Sequence, residues 1–200
     1  MSDVSDSSGS TALSGGHVTV RRVGLIGSAG LGKSAAAQDL SARLGVPFLR
    51  SRDITRPILS RMGYDYASDG CVENFLSRKE TEYSLVLSRV AAESEATDFV
   101  TDRTTLECFA YALLNCSGYT PGELSDLEDT CRSNMSRYTD LFYFPMTSGW
   151  YVANGLRTTD WWFQRKVDII IQGLLMDWGV DFTETHRSMV DEMYKAVAGE

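Results

Sequence analysis

The sequence predicts an α/β fold, a parallel sheet of about five strands with helices on both faces. Two observations lead there. Short β-rich runs alternate with longer runs of helical periodicity along most of the chain, the order that parallel strands and their crossovers require. The first strand also breaks at Gly27 into a Gly-rich turn that opens directly into a helix. With 200 residues, 43% of them hydrophobic, the chain has enough apolar material for one domain with a real core.

Taken in order, residues 17–26, HVTVRRVGLI, are β-branched at the start and apolar at the end, and read as the first strand. A helix is expected over 33–44, closed by Gly45-Val46-Pro47. Residues 47–49 form a short second strand whose end carries Arg50, Arg52 and Asp53. Helical patterns occupy roughly 54–62 and 72–93, and a third strand over 98–101 delivers Asp102 and Arg103 at its carboxyl end. Thr104 with Glu107 three positions on is a capping box for a helix reaching Asn115. Thr120-Pro121, with Glu123 in the first turn, starts another. Residues 141–144 are a fourth strand ending at Pro145. A long helix is expected over 160–178 and a last one over 183–198, with a short strand around 180–182.

Residues 1–16, MSDVSDSSGSTALSGG, have too little apolar surface to fold alone and lack the pattern of a signal peptide. They read as a disordered tail, which leaves 17–200 as the folded domain and the cytoplasm as the expected location. No apolar run approaches the roughly 20 residues of a membrane span. The net charge of −8 argues against coating nucleic acid through a general basic field, although a local groove is compatible with it. Of the 19 basic residues, fifteen are Arg, the side chain that grips phosphate oxygens two at a time. Cys71, Cys108, Cys116 and Cys131 form no C-x-x-C pair and only His17 and His186 accompany them, so a zinc framework is not expected and reduced thiols are.

The strongest chemical signal is Gly27-Ser28-Ala29-Gly30-Leu31-Gly32-Lys33-Ser34, a complete G-x-x-x-x-G-K-S between strand and helix. Such a turn aims backbone N–H groups and a helix N-terminus at anionic oxygens. Lys33 would reach the β and γ phosphates of ATP, and Ser34 would offer its hydroxyl to Mg²⁺. Asp102, at the end of a neighbouring strand, would hold Mg²⁺ through water, and Arg103 would hold an acceptor group, with an ordinary ion pair as the plainer alternative. Asp53 is balanced between catalytic base and surface ion pair. The stretch 149–166, GWYVANGLRTTDWWFQRK, combines glycines, aromatics and cations as a closing lid requires, with Arg157 the first choice to neutralise charge on the transferring phosphoryl group. Trp161, Trp162 and Phe163 are expected to pack their helix on the core, stacking on a base being the alternative. His186 and Arg187 are read as cap or surface residues, with closeness to an adenine the alternative.

On GSAGLGKS, on the Asp-Arg of TDRTTLECFAYALL with Ala110-Tyr111, and on Asn154-Gly155-Leu156-Arg157, the chain resembles the AAA_28-type P-loop kinases, a group including nicotinamide riboside kinases and phage nucleotide kinases. The resemblance covers about residues 20–198. It implies a nucleoside monophosphate kinase-like fold that uses ATP and Mg²⁺ and closes an Arg-bearing lid. The segment ITRPILSRMGYD looks like the phage members, whose acceptors include deoxynucleotides and 5-hydroxymethyluracil already within DNA. The chain departs from the pattern at Ala153-Asn154, where the family has an acidic pair, and at Glu107, where an Asp is usual. Three readings follow. The leading one is a kinase acting on the hydroxymethyl group of 5-hydroxymethyluracil in DNA. The second is a kinase for a free deoxynucleoside monophosphate or nucleoside, and the third is an ATP-binding regulatory module that transfers nothing. Oligomeric state is left open.

Overall fold

The computed structural model describes residues 20–65, 79–114, 118–146 and 160–200. The apolar run after Arg21 becomes β1 (Arg22–Ile26), and beside it lie β2 (Phe48–Leu49), β3 (Phe99–Thr101), β4 (Asp140–Tyr143) and β5 (Thr183–Glu184). All pairings are parallel, in the order β2-β3-β1-β4-β5. Gly24 pairs with Thr101 on one side and with Leu141 on the other. The chain therefore leaves β1 toward β2, returns through β3, and crosses β1 to reach β4. The loop after β1 sits where the winding reverses, which is where parallel sheets open a crevice at their carboxyl ends.

Seven helices are described: α1 (Lys33–Leu44), α2 (Ser51–Arg61), α3 (Lys79–Glu95), α4 (Thr105–Leu114), α5 (Pro121–Met135), α6 (Trp161–Asp177) and α7 (Val190–Ala198). Strand periodicity sends alternate side chains to opposite faces. On one face Val23, Leu25, Phe142 and Phe144 pack with Leu40 of α1 and Met193 of α7. On the other, Ile26 and Tyr143 pack with Phe109 of α4, Leu127 of α5 and Ile171 of α6. The loop after β1 is tied into the first of these cores through Leu31.

Several boundaries differ from the sequence expectation, each for a local reason. Helix α2 begins at Ser51, because the Ser51 N–H finds a partner in the Asp102 carboxylate at 2.7 Å. Asp53 is consequently not at a strand end but in the first turn of a helix. Residues 180–182 are not a strand, since the Val180 N–H turns back to the Leu175 carbonyl at 3.0 Å and closes α6. The fifth strand comes two to three residues later, where Phe142 pairs with Thr183 and Tyr143 with Glu184. A 3₁₀ turn over Arg187–Met189 delays the last helix to Val190. Thr104 forms half of its expected capping box: Glu107 accepts its N–H at 2.8 Å, but the Thr104 hydroxyl finds no partner. Thr120 and Glu123 form the full box.

Among the described residues no helix is long and apolar enough to cross a membrane. The tail, residues 72–78 of the expected helix, Asn115, and residues 149–159 of the expected lid, Arg157 included, lie outside the described residues.

Candidate active site

The loop from Gly27 to Ser34 folds as its motif requires. Gly27 has φ 145° and Gly32 φ 84°, conformations that side chains resist. A Cβ at Gly27 would also lie 2.5 Å from the Phe144 carbonyl oxygen. Gly32 is the N-cap of α1, which has no side-chain cap and no acid in its first turn. By contrast, Thr120 caps α5 and Asp160 caps α6. The first N–H groups of α1 are thus left to an anion, and the helix dipole favours one there. Ser28, Ala29 and Leu31 are buried, so the loop is held by the core and not by solvent.

Lys33 is only 8% exposed and its ammonium rests on the loop itself. It donates to the carbonyl oxygens of Gly27 and Ser28, the latter at 2.7 Å. Glu107 Oε1 stands 3.3 Å from the same nitrogen. Glu107 is fully buried, and that oxygen has no hydrogen bond among the described residues, so the Lys33 charge beside it compensates it. Glu107 thus has two tasks, one oxygen closing the start of α4 and the other facing the P-loop lysine.

The Asp102 carboxylate joins three elements. It accepts from the Ser34 hydroxyl with one oxygen and from the Ser51 N–H with the other. The sequence placed Asp102 at a strand end beside the P-loop, and the structure brings it into direct contact with Ser34. A hydroxyl and a carboxylate are hard oxygen donors, the chemistry suited to Mg²⁺, which keeps several waters and completes its shell with phosphate oxygens. Among the described residues no group of three or more His, Cys, Asp or Glu side chains forms a metal cage. Cys108 and Cys131 are free thiols.

Arg103 follows Asp102 and lies with its guanidinium carbon 5.1 Å from the centre of the Tyr111 ring. Burial opposes its charge, but Tyr111, Glu107, Cys108 and Asp102 outweigh that and raise its pKa. Asp53 is exposed and stands two residues beyond Ser51, the residue anchored to Asp102. Sequence reasoning missed the group that holds this corner together. Arg89, on α3 and 2% exposed, donates to Thr101 Oγ1 at 3.0 Å, to the Arg103 carbonyl at 2.7 Å and to Ser51 Oγ at 2.9 Å. It also faces Glu93 at 3.4 Å. Its position on a helical face that reads as ordinary amphipathic surface gave no signal. A second contact missed is Gln164 of α6, whose Oε1 accepts the Ala29 N–H at 2.9 Å.

On the other side of the loop is a cleft of about 250 Å³ lined by Leu31, Phe144, Pro145, Thr185, His186 and Arg187. Arg187 lies across the loop, since a Cβ on Gly32 would meet its Cδ at 2.8 Å. His186 is exposed and makes no side-chain cap bond; its Nδ1 is 2.8 Å from Ser188 Oγ. Of the three aromatics opening α6, Trp161 and Phe163 pack against the two cores as expected. Trp162 does not, being 68% exposed on the helix face turned from the sheet.

A phosphate loop at the reversal point of a β2-β3-β1-β4-β5 parallel sheet, with the acid after β3 bonded to the loop serine, is the P-loop nucleoside monophosphate kinase-like fold. The chain belongs to the AAA_28 family, an AAA domain, whose model matches residues 22–192. No curated protein matches it. It is similar in structure to NadR in complex with NR, with a TM-score of 0.58 at 15% identity over 83% of this chain and 43% of that one. A second NadR structure, with NAD and AMP-PNP, gives 0.62 at 14% over 90% and 50%. Deoxyadenosine kinase from M. mycoides, with dCMP and dCDP bound, gives 0.58 at 12% over 89% and 97%. Shikimate kinase from Acinetobacter baumannii in complex with shikimate gives 0.56 at 12% over 90% and 94%. The chain spans half or less of the NadR structures, and at these identities the likeness establishes the fold.

Proposed function

We propose that the protein is an ATP-dependent phosphotransferase that moves the γ-phosphate to a nucleotide-type acceptor. The observation that carries this reading is the contact of Asp102 with both Ser34 and the start of α2. It joins the phosphate loop to the element bearing Asp53 and Arg56, so a donor and an acceptor would meet at one carboxylate. Positioning and electrostatics do most of the work in this chemistry, and Lys33, Ser34, Asp102 and Arg103 would supply both. Ser34 and Asp102 would hold Mg²⁺, which supplies charge neutralisation across the β and γ phosphates when bound. Lys33 would move from its carbonyl partners to phosphate, and Arg103 would orient the acceptor. Asp53, in the first turn of α2, is exposed to an incoming hydroxyl and would take its proton. Arg157 is assigned to the developing charge from its place in the sequence. His186 and Arg187 line the cleft beside Leu31, which supports the reading that the base of ATP would sit there.

For the acceptor, 5-hydroxymethyluracil within DNA is supported by the phage-like ITRPILSRMGYD segment, most of which forms α2 beside Asp102. A free nucleoside or nucleotide is supported by the net charge of −8 and by the small molecules bound to the similar structures, NR in one and the products dCMP and dCDP in another. Transfer of labelled γ-phosphate from ATP with Mg²⁺ to a panel of deoxynucleosides, deoxynucleoside monophosphates, and DNA with or without 5-hydroxymethyluracil decides between them. Label on hydroxymethylated DNA alone establishes the first, and label on a free nucleoside or nucleotide the second. Tight ATP binding with no label anywhere overturns the transferase reading in favour of a regulatory module.

A further inference from the structure

We infer that Gln164 is part of the phosphate site, its side-chain amide donating to a phosphate oxygen of bound ATP while its carbonyl holds the P-loop. The inference rests on the phosphotransferase reading above. Gln164 lies in the first turn of α6 and is fully buried. Its Oε1 reaches the N–H of Ala29, the third residue of G-x-x-x-x-G-K-S, across 135 residues of sequence. A helix from the far side of the sheet thus inserts a side chain into the turn whose backbone donors face phosphate.

That contact fixes the orientation of the amide. A backbone N–H only donates, so the oxygen must face Ala29 and the NH₂ group must take the other side. The Nε2 atom is buried and meets no acceptor among the described residues. Ser28, next to Ala29, is in the same condition: 1% exposed, with a hydroxyl that has no partner among the described residues. Buried polar groups in native proteins are nearly always satisfied, and each exception asks for a partner from outside the chain. Two such groups flank one P-loop peptide. Both can donate, one from the loop and one from α6 against it, and the neighbouring donors, the α1 N-terminus and Lys33, call for an anion. An oxygen of the triphosphate satisfies them together. A neutral amide also suits the place, because Lys33 already brings a full charge to this loop and a second cation would repel it.

Two substitutions separate the roles. Gln164→Glu keeps an oxygen for the Ala29 N–H and removes the donor. Gln164→Met keeps the length, removes both, and introduces no charge. ATP and ADP binding with Mg²⁺ is measured by calorimetry on the full chain, and the melting temperature without nucleotide reports folding. The expected result is that the wild type binds, both variants stay folded, and both lose about tenfold to a hundredfold in ATP affinity. Wild-type affinity in both variants overturns the inference, and would leave an ordered water as the amide's partner. Loss in Gln164→Met alone also overturns it, since Gln164 would then act only by bracing Ala29. Loss in Gln164→Glu alone overturns it as well, as repulsion by the new charge. Ser28→Ala removes the second buried donor with no added charge and with the Gln164–Ala29 bond kept, and should also weaken ATP; wild-type affinity in this variant overturns the inference, since bracing and repulsion would then account for the other two. Failure of the wild type to bind ATP removes the phosphotransferase reading itself, and this inference with it.

Discussion

Replacing Arg89 by Met tests the corner that carries Asp102 and Arg103. Met retains an aliphatic arm but loses the bonds to Thr101, Arg103 and Ser51 and the ion pair with Glu93. Three hydrogen bonds from a charged donor at about 1.5–3 kcal/mol each would sum to roughly 5–9 kcal/mol. The sum overshoots, because the guanidinium no longer has to be desolvated, and breaking buried ion pairs costs about 3–5 kcal/mol. Glu93 retains the Tyr138 hydroxyl at 2.7 Å and the Asn134 amide at 2.6 Å, so its charge is not abandoned. The low end, about 3 kcal/mol, is therefore expected. For a chain of this size that is a fall of roughly 6–12 °C in Tm. Thermal unfolding of the full chain reads it, and adding Glu93→Gln to Arg89→Met should cost less than the two single losses together. A loss below about 2 °C would show that this network does not hold the corner.

Three further outcomes follow from the same geometry. Gly24→Ala puts a Cβ 2.7 Å from Leu141 Cδ2, 2.8 Å from Thr104 Cγ2 and 2.9 Å from Tyr138 Cε1, and should destabilise by about 1–3 kcal/mol in urea unfolding; unchanged stability would mean that these three side chains give way freely. Asp53→Asn should lower turnover by about a hundredfold or more with ATP affinity kept, whereas unchanged turnover returns Asp53 to a surface role. The Lys79 contact first, and then those of Thr120, hold the Glu123 carboxyl at about 2, below its ordinary 4.5. Being depressed in the folded state, it stabilises above pH 4.5 and ceases to as pH falls toward 2, by a small amount at this exposed site. Glu123→Gln should flatten that part of the acid unfolding profile and no other, and a profile identical to wild type contradicts the assignment.

The loop and sheet were legible because their signals are local. G-x-x-x-x-G-K-S prescribes its own backbone, and α1 runs over the residues expected of it, Lys33–Leu44. Asp102 was found because a strand end beside a P-loop has a fixed place in such sheets. What failed were positions decided by distant partners. Ser51 starts α2 through a carboxylate 51 residues away. Arg89 and Gln164 look in sequence like surface residues of amphipathic helices, and Glu107 like a helix-start cap, yet all three are buried by contacts spanning the fold. Glu107 was noticed as a departure from the family pattern, but its pairing with Lys33 depends on how α4 approaches the loop. Spacing along one chain does not encode such approaches.

The central claim is that Gly27 to Ser34 receives a triphosphate that Asp102 and Ser34 complete with Mg²⁺. A crystal structure of the full chain with Mg²⁺ and a non-hydrolysable ATP analogue tests it most directly. The account predicts Lys33 Nζ moved from the Gly27 and Ser28 carbonyl oxygens onto a phosphate oxygen, Mg²⁺ between Ser34 and Asp102, and the base in the cleft beside Leu31 and Arg187. A nucleotide bound elsewhere, with Lys33 still on its own loop carbonyls, would contradict it.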